Sequence, residues 1–594
     1  MPQIVSLDAA TLFERAKAAL IAGDAAAAAT AARQVVLMAP GAWPALYLLA
    51  VAERDSGGAE ASRRAFEAAL KAAPGHPDIL NDYASLLEKV GQRGAAIARY
   101  REVVAARPDH LVAWIRLAVA LGAVGALGEA HEAALMATKL APDNAEVWLM
   151  MGGNRHAAGD ADGAADALQR AVALAPNDVR VVRALAELET DRSGSGLTLF
   201  HRAAAMDPND SDTAMGLALA RHEAGETAEA IDALLELARR RPGWVAPVQS
   251  AARIAVTDGR PEAARAMFTE ALEARPRDHG LWHAYLQMLA QHEDYPRVLT
   301  ATEAAKRQLG AFPALDAFTA VALDETGDHA QASALLERLD ASQSLPSIVD
   351  GRVRNLLRTG RIEEAAERAA RGLAQDGRRR LWAYLATAWR MLGDPRSQWL
   401  EAPEFVQAVE IEDGVALAKA AEPALRALHK ARAAPLGQTV RGGSQTDGQL
   451  FLRHEPEIRR LGEALQRAVE AYAATLPPIE AGHPLLEASR DHIRLSGWSV
   501  RLPSGGLHVN HIHPEGWLSS AFYVDLPELT PGTTEGWLAI GEPPKELKLG
   551  LKPYRLIEPK PGRLALFPSY AWHGTRLFGG KGERLTVAFD VMTG

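Results

Sequence analysis

Eight prolines, Pro40, Pro74, Pro108, Pro142, Pro176, Pro208, Pro242 and Pro276, follow one another at intervals of 34 residues, with a single interval of 32. A pattern that restarts at a fixed period of this length is the signature of stacked units, each burying one face against the next. Three more registers run in phase with the prolines. Seventeen positions on stand Gly57, Gly91, Gly125, Gly159, Gly225 and Gly259. Ten positions on stand Ala50, Ala84, Ala118, Gly152, Ala186, Ala218 and Ala252. Twenty-two positions on stand Ala96, Ala130, Ala164, Ala230 and Ala264. Small residues at fixed helical positions let two helices approach closely, glycine breaks the chain between them, and proline stops the second helix.

These registers resemble the tetratricopeptide repeat, a helical hairpin with a 34-residue period. Gly23 extends the series upstream, and Gly327, Gly360 and Gly393 continue it downstream in more degenerate units. The resemblance implies about eleven or twelve hairpins over residues 1–397. The shortened unit after Pro176, which contains the run DRSGSG, is expected to be a local irregularity. Such a solenoid commonly holds a peptide or another protein on its concave surface, so a protein or peptide partner is expected here. Any single arginine on it reads as part of a solvated face. His76, His110, His131 and His156 are scattered and form no catalytic constellation; surface and helix-packing roles are expected for them.

A chain of 594 residues is too long for one core, and two to four domains are expected. Its hydrophobic content of 48% and charged content of 23% are those of a globular protein. The formal net charge of −9 gives no general attraction to nucleic acid or an anionic membrane. No apolar run reaches the roughly 18 residues of a membrane span. The opening MPQIVSLDAATLFERAKAAL places Asp8 and Glu14 where a signal peptide would be apolar, and a cytoplasmic location is expected. The sequence contains no cysteine, which removes disulfides, thiolate zinc sites, iron–sulfur clusters and cysteine nucleophiles together. A protein-bound metal must then use His, Asp or Glu.

After Gly393 the registers stop. The stretch RSQWLEAPEFVQAVEIEDG reads as a connector, followed by a helix around Ala416–Ala431. PLGQTVRGGSQTDGQLFLR reads as a glycine-rich loop leading into a short strand. Residues Pro456–Ala473 carry Ile458, Leu461, Leu465, Val469 and Tyr472 at amphipathic helical spacing. From Asp491 onward the segments HIRLSGWSVRL, WLSSAFYVDL, GWLAIG, GRLALF and RLTVAFDV read as strands closely punctuated by Gly and Pro. A second domain over 398–594 is expected, an all-β core fronted by a helix or two.

Within it, His511 and His513 are followed by His573, 62 positions after His511, and by Arg584, 11 further on. Residues i and i+2 of a strand point to one face about 7 Å apart, so two such imidazoles can share a metal ion. A third histidine from a distant strand closes one face of an octahedron and leaves positions open for reactants, as non-haem iron(II) oxygenases require.

The order H-x-H, a strand ending Phe522-Tyr523, the turn and strand PGRLALFPS, then His573 and Arg584-Leu585-Thr586, is similar to the 2-oxoglutarate/iron(II) oxygenase superfamily. More narrowly, it resembles a bacterial group that joins such a domain to tetratricopeptide repeats. The resemblance implies a double-stranded β-helix, or jelly roll, with flanking helices. It implies Fe(II) on His511, His513 and His573. It implies 2-oxoglutarate with its far carboxylate on Arg584, assisted by Thr586 and Tyr523, and dioxygen as the other reactant. The implied chemistry is oxidative decarboxylation to succinate and carbon dioxide, coupled to hydroxylation of a nearby C–H bond. A guanidinium is suited to its part, being a planar fork that pairs with carboxylate and stays charged when buried.

One departure from the family pattern stands out. The carboxylate ligand position carries His513, which leaves the site one unit more positive. A rival alignment through His508-Val509-Asn510 places Asn510 there, with His508 replacing His511. Glu515 could supply the anionic ligand instead, and a set of His511 and His573 without His513 is the main competitor. Trp498, Arg501, Trp517 and Trp572 read as core or pocket wall. Ser519 and Ser520 lack histidine–carboxylate partners at recognisable spacing, so no hydrolase is read. Residues 441–446, RGGSQT, fit a substrate entrance and an ordinary connecting loop equally.

Two rival readings remain. Gly562, Pro568 and His573 fit the second motif of cupin-type metalloenzymes, although Trp517 and Leu518 stand where the cupin glutamate belongs. The other rival is a repeat scaffold with a degenerate, non-catalytic barrel.

Overall fold

A computed structural model describes residues 8–342, 346–376, 379–446, 448–490 and 492–593. The first seven residues of the N-terminal stretch and Asp491, the expected start of the strand-rich region, lie outside them. Residues 1–184 and 185–594 form two compact units.

In the first unit, helices of 13 and 14 residues alternate from Ala9 to Leu174. Two such helices use 27 of the 34 residues and leave seven for two turns. The residue 17 after each proline carries the sharper turn, and its backbone is left-handed: φ is +90° at Gly57, +77° at Gly91, +80° at Gly125 and +83° at Gly159. Only glycine adopts that conformation freely. The registers of small residues are the contact lines, and Ala50, Ala84, Ala96, Ala118, Ala130 and Ala164 are each fully buried. At Gly152 a Cβ would stand 2.5 Å from Cγ of Leu168, so the two helices close directly onto the backbone there.

In the second unit the repeats run from helix Leu197–Met206 to helix Arg380–Leu392, followed by the short helix Arg396–Leu400. The helix Val179–Ser193 crosses the division between the units. The DRSGSG irregularity is a helix cut to ten residues, Leu197–Met206, after a left-handed Gly194. Gly196 lies so close to the preceding helix that a Cβ would be 2.2 Å from the carbonyl oxygen of Ala186. Gly225, Gly259, Gly327, Gly360 and Gly393 are left-handed as well; the unit after Pro276 has Glu293 in this position, with φ +58°.

The C-terminal region is β-rich. Its strands are β1 (Gln407–Glu410), β2 (Val440–Arg441), β3 (Ser444–Gln445), β4 (Ile493–Pro503), β5 (Leu507–His508) and β6 (Leu518–Asp525). They continue with β7 (Leu538–Ile540), β8 (Arg555–Ile557), β9 (Arg563–Pro568), β10 (His573–Thr575) and β11 (Glu583–Thr593). One antiparallel sheet has the order β1-β9-β6-β11-β4-β3, a second β10-β7-β8, and β2 pairs with β5. The helices Gly414–Leu428 and Pro456–Thr475 accompany them. The stretch read as a plain connector supplies β1, an edge strand on β9. Its four residues alternate in burial, too short a run for periodicity to register.

The last full repeat helix and the sheets share one core. Trp389, Tyr384 and Leu381 belong to the same buried cluster as Phe522, Trp572 and Phe589. Trp572 donates from Nε1 to Oγ1 of Thr387 at 2.9 Å, and Arg390 donates from Nη2 to the carbonyl of Lys552 at 2.7 Å.

A further link runs through the segment joining helix Gly414–Leu428 to β2. Lys430 Nζ donates to the carbonyl of Glu223 at 2.6 Å. The amides of Arg432 and Ala433 donate to the carbonyl of Thr257 at 2.9 and 3.0 Å, and that of Gly437 to Gln291 at 3.4 Å. Glu223, Thr257 and Gln291 are the last residues of three repeat helices, spaced by 34 residues. The last carbonyls of a helix lack intrahelical donors and carry partial negative charge. This strap therefore satisfies the same orphan group in three successive repeats, and Arg441 ends it in an ion pair with Glu293. No helix among the described residues is long and apolar enough to cross a membrane.

Candidate metal centre

His511 and His573 face each other in an isolated antiparallel bridge, exchanging backbone hydrogen bonds of 2.9 Å in both directions. His513 follows in irregular backbone rather than a continued strand, its amide donating to the carbonyl of Ser569 at 3.0 Å. Pro514 comes next, which has no N–H to extend the pairing. The expected strand geometry is thus replaced by a bridge and a turn, yet the rings still meet. One nitrogen from each of His511, His513 and His573 lies within 4.8 Å of the other two.

Which nitrogens face the centre follows from the outer bonds. Nδ1 of His511 is 2.8 Å from the carbonyl of Val509, and Nδ1 of His573 is 3.0 Å from that of Ala571. Nδ1 of His513 is 2.7 Å from Oδ2 of Asp590. Carbonyl and carboxylate oxygens only accept, so each Nδ1 carries the proton and each Nε2 presents a lone pair. Nε2 of His511 and Nε2 of His513 are 2.8 Å apart. Two lone pairs held at that distance repel unless a cation lies between them. Burial, reinforced by the neighbouring imidazoles, holds His511 and His573 well below the ordinary histidine range, in the neutral form that binds metals.

Beside the histidines, Arg584 is 3% exposed, and among the described residues no carboxylate pairs with it. Its Nη1 donates to the carbonyl of Gly536 at 2.6 Å, while its Nε has no hydrogen-bond partner. Tyr523 is fully buried, its ring centroid 5.0 Å from the guanidinium carbon, and its hydroxyl interacts with that guanidinium. Burial pushes the phenol upward and the guanidinium downward from their ordinary values. Thr586, opposite Tyr523 in the β11–β6 pairing, lines the same cavity. A register shift in that pairing between Leu585 and Thr586 bends the ladder where these groups converge. A buried guanidinium without an anion is costly, and its idle Nε suits a carboxylate ligand.

The alternatives fall differently. His508 lines the cavity, with Nδ1 3.0 Å from Oγ1 of Thr439, and burial pushes its pKa down to about 3. Asn510 donates to the carbonyl of Pro543 at 3.2 Å and faces an adjoining groove of about 480 Å³. Glu515 is exposed and does not line the cavity. Trp498 stacks on His513 at 5.4 Å and 7°. Trp517 donates to the carbonyl of Leu485 from inside the core, and Arg501 pairs with Glu583. Gln445, from the 441–446 segment, reaches the cavity wall.

Sequence reasoning missed Asp590 and Thr439 here, and weighed Ser519 only as a nucleophile. Asp590 and Ser519 are joined by a bond of 2.7 Å from Oγ to Oδ1, and Thr439 of the strap has Oγ1 3.4 Å from Nε2 of His511. The first had a legible signal, because 584, 586, 588 and 590 alternate onto one face of a strand.

Residues 496–590 match the family described as "Putative 2OG-Fe(II) oxygenase". Residues 190–292, and the overlapping stretches 13–77 and 52–110, match families described as tetratricopeptide repeat. No curated protein matches the sequence. Among solved structures, a tetratricopeptide repeat protein from Parabacteroides merdae is 15% identical, with a TM-score of 0.34, over 39% of this chain and 91% of its own. A thermophilic repeat protein of Thermus thermophilus is 27% identical, with a TM-score of 0.26, over 30% of this chain and 98% of its own.

Proposed function

We propose that this chain, in which tetratricopeptide repeats precede a domain of the 2OG-Fe(II) oxygenase family, is a 2-oxoglutarate- and Fe(II)-dependent hydroxylase. The observation that carries the reading is the convergence in one cavity of three proton-anchored imidazoles and a buried guanidinium lacking an anion. His511, His513 and His573 would hold the metal through Nε2. Ferrous iron, when bound, supplies the site at which dioxygen and 2-oxoglutarate are converted to carbon dioxide and succinate while one oxygen atom enters a substrate C–H bond. Arg584, with Tyr523 and Thr586, would grip the distal carboxylate of the keto-acid and orient it. Leu538, Phe567 and Ala588 give the cavity apolar walls that restrict water.

The six-stranded and three-stranded sheets support reading this domain as a double-stranded β-helix, of which they would be the major and minor faces. In this reading residues 398–594 perform the chemistry and residues 1–397 recruit a protein or peptide. The groove of about 480 Å³ that shares His508 and Thr575 with the cavity would be the approach for a side chain of such a substrate. A reducing, cytoplasmic setting goes with this chemistry because it keeps iron ferrous.

Anaerobic titration tests the first step: the wild type takes up one Fe(II), and His511→Ala takes up none. Adding 2-oxoglutarate and dioxygen, with proteins captured by the His511→Ala variant, yields succinate and a mass gain of one oxygen on the substrate. Iron uptake without succinate in that mixture favours a cupin-type enzyme; no iron uptake favours a scaffold.

A further inference from the structure

The three imidazoles are not anchored alike. His511 and His573 donate from Nδ1 to main-chain carbonyls, whereas His513 donates to a carboxylate, Oδ2 of Asp590, at 2.7 Å. Asp590 is the only acidic residue among the described residues that line the cavity. Its place is fixed on several sides. On β11 it pairs with Ser519 of β6 and Ser496 of β4, and Oγ of Ser519 donates to its other oxygen at 2.7 Å. The turn after His513 closes over it at Gly516, where a Cβ would come within 3.2 Å of both Cβ and Cγ of Asp590. The ring of His513 lies flat against Trp498 on one side, so stacking fixes its plane and Asp590 fixes its rotation.

Three neutral imidazoles bring no charge to a divalent cation. A carboxylate hydrogen-bonded to the far nitrogen of a ligating imidazole orients the ring and raises its basicity, and removing such a partner weakens metal binding by about 10–100-fold. We infer that Asp590 is the positioning residue of this centre. Acting through His513, it supplies from one bond further out the negative charge that a directly ligating carboxylate would bring. It holds the proton on Nδ1 of His513 and turns the Nε2 lone pair toward His511, where a metal would be held. The inference rests on the metal-binding reading above and adds a ligand-specific role to it.

Metal affinity, measured anaerobically by competition between the full-length protein and a chelator for Fe(II) or Co(II), tests it without reference to turnover. Asp590→Asn preserves shape and the Ser519 bond, and a 10–100-fold weaker affinity is expected, with a changed Co(II) absorption spectrum. In a His513→Ala background the same substitution should change affinity less than about twofold, because the two residues act as one unit. Ser519→Ala, which removes only one bond to the carboxylate, should give a smaller loss in the same direction. It stands as the second test if Asp590→Asn does not fold. Affinity within about twofold of wild type for both single variants overturns the inference and leaves the metal site intact. So does a full loss that persists without His513, which would make Asp590 a ligand in its own right. A wild type that binds neither metal overturns the inference together with the reading beneath it.

Discussion

Arg584 is where function and stability pull in opposite directions. A guanidinium enclosed without an anion destabilises the empty protein. Arg584→Met is therefore expected to stabilise the apo form by about 1–3 kcal/mol, seen as a higher thermal midpoint, while abolishing 2-oxoglutarate binding. Arg584→Lys keeps the charge but loses the fork, and its KM for 2-oxoglutarate should rise at least about tenfold. His429 gives a pH signature away from the metal. Its ring sits between Ser444 Oγ and Ser499 Oγ at 2.9 and 3.0 Å, and burial, aided by Arg501 and Arg426, pushes its pKa down to about 4. The unfolded chain then binds the extra proton first. Stability from this group is complete above about pH 6.5 and drains away between there and pH 4, by about 3 kcal/mol in all. Chemical denaturation across that range should show a shallower fall for His429→Gln. Of the residues at the centre, His511, His513 and His573 could be picked out from spacing and type, and Arg584 through the family resemblance. Thr439 could not, because it arrives from a loop with no periodicity, 72 residues away in sequence from His511.

Among the elements, the repeats were the more legible, because each register answers to one physical demand. Gly152 and Gly153 separate those demands within a single helix. A Cβ at Gly152 would collide with Leu168, whereas at Gly153 it would meet nothing within 4 Å. Gly152→Ala should destabilise its helix by about 1–3 kcal/mol. Gly153→Ala should stabilise it by about 0.5–1 kcal/mol through helix propensity. Hydrogen exchange over Ala145–Ala157 reads both signs. The long strands β4 and β11 announced themselves by alternating apolar positions, β6 and β9 by short, nearly continuous buried runs, and all four by the Gly and Pro around them. Of the short strands, β7 was legible within GWLAIG, whereas β5, β8 and β10, of two or three residues, carry too few positions for any period, although β10 begins with His573 of the candidate centre.

For the molecule, the informative departure is Glu293, the one residue that breaks the glycine register while keeping its left-handed backbone. That conformation costs a non-glycine residue about 1–2 kcal/mol. Glu293 retains a side chain there, and its carboxylate holds Arg441 at the end of the strap. Glu293→Gly relieves the strain and removes a partly exposed ion pair of up to about 1 kcal/mol, so global stability should change little. Hydrogen exchange at residues 437–441 should nonetheless accelerate, since the strap loses an anchor.

The strap makes the C-terminal domain and its array hard to interchange. Tetratricopeptide arrays invite treatment as cassettes, to be shortened, lengthened or replaced by another of the same length. Here the spacing of helix ends in three successive repeats is copied into the donors of one short segment, and that segment carries Thr439 to the histidines. A foreign array with a different pitch would offer those acceptors at the wrong intervals. Its mismatch would be felt at the wall of the cavity.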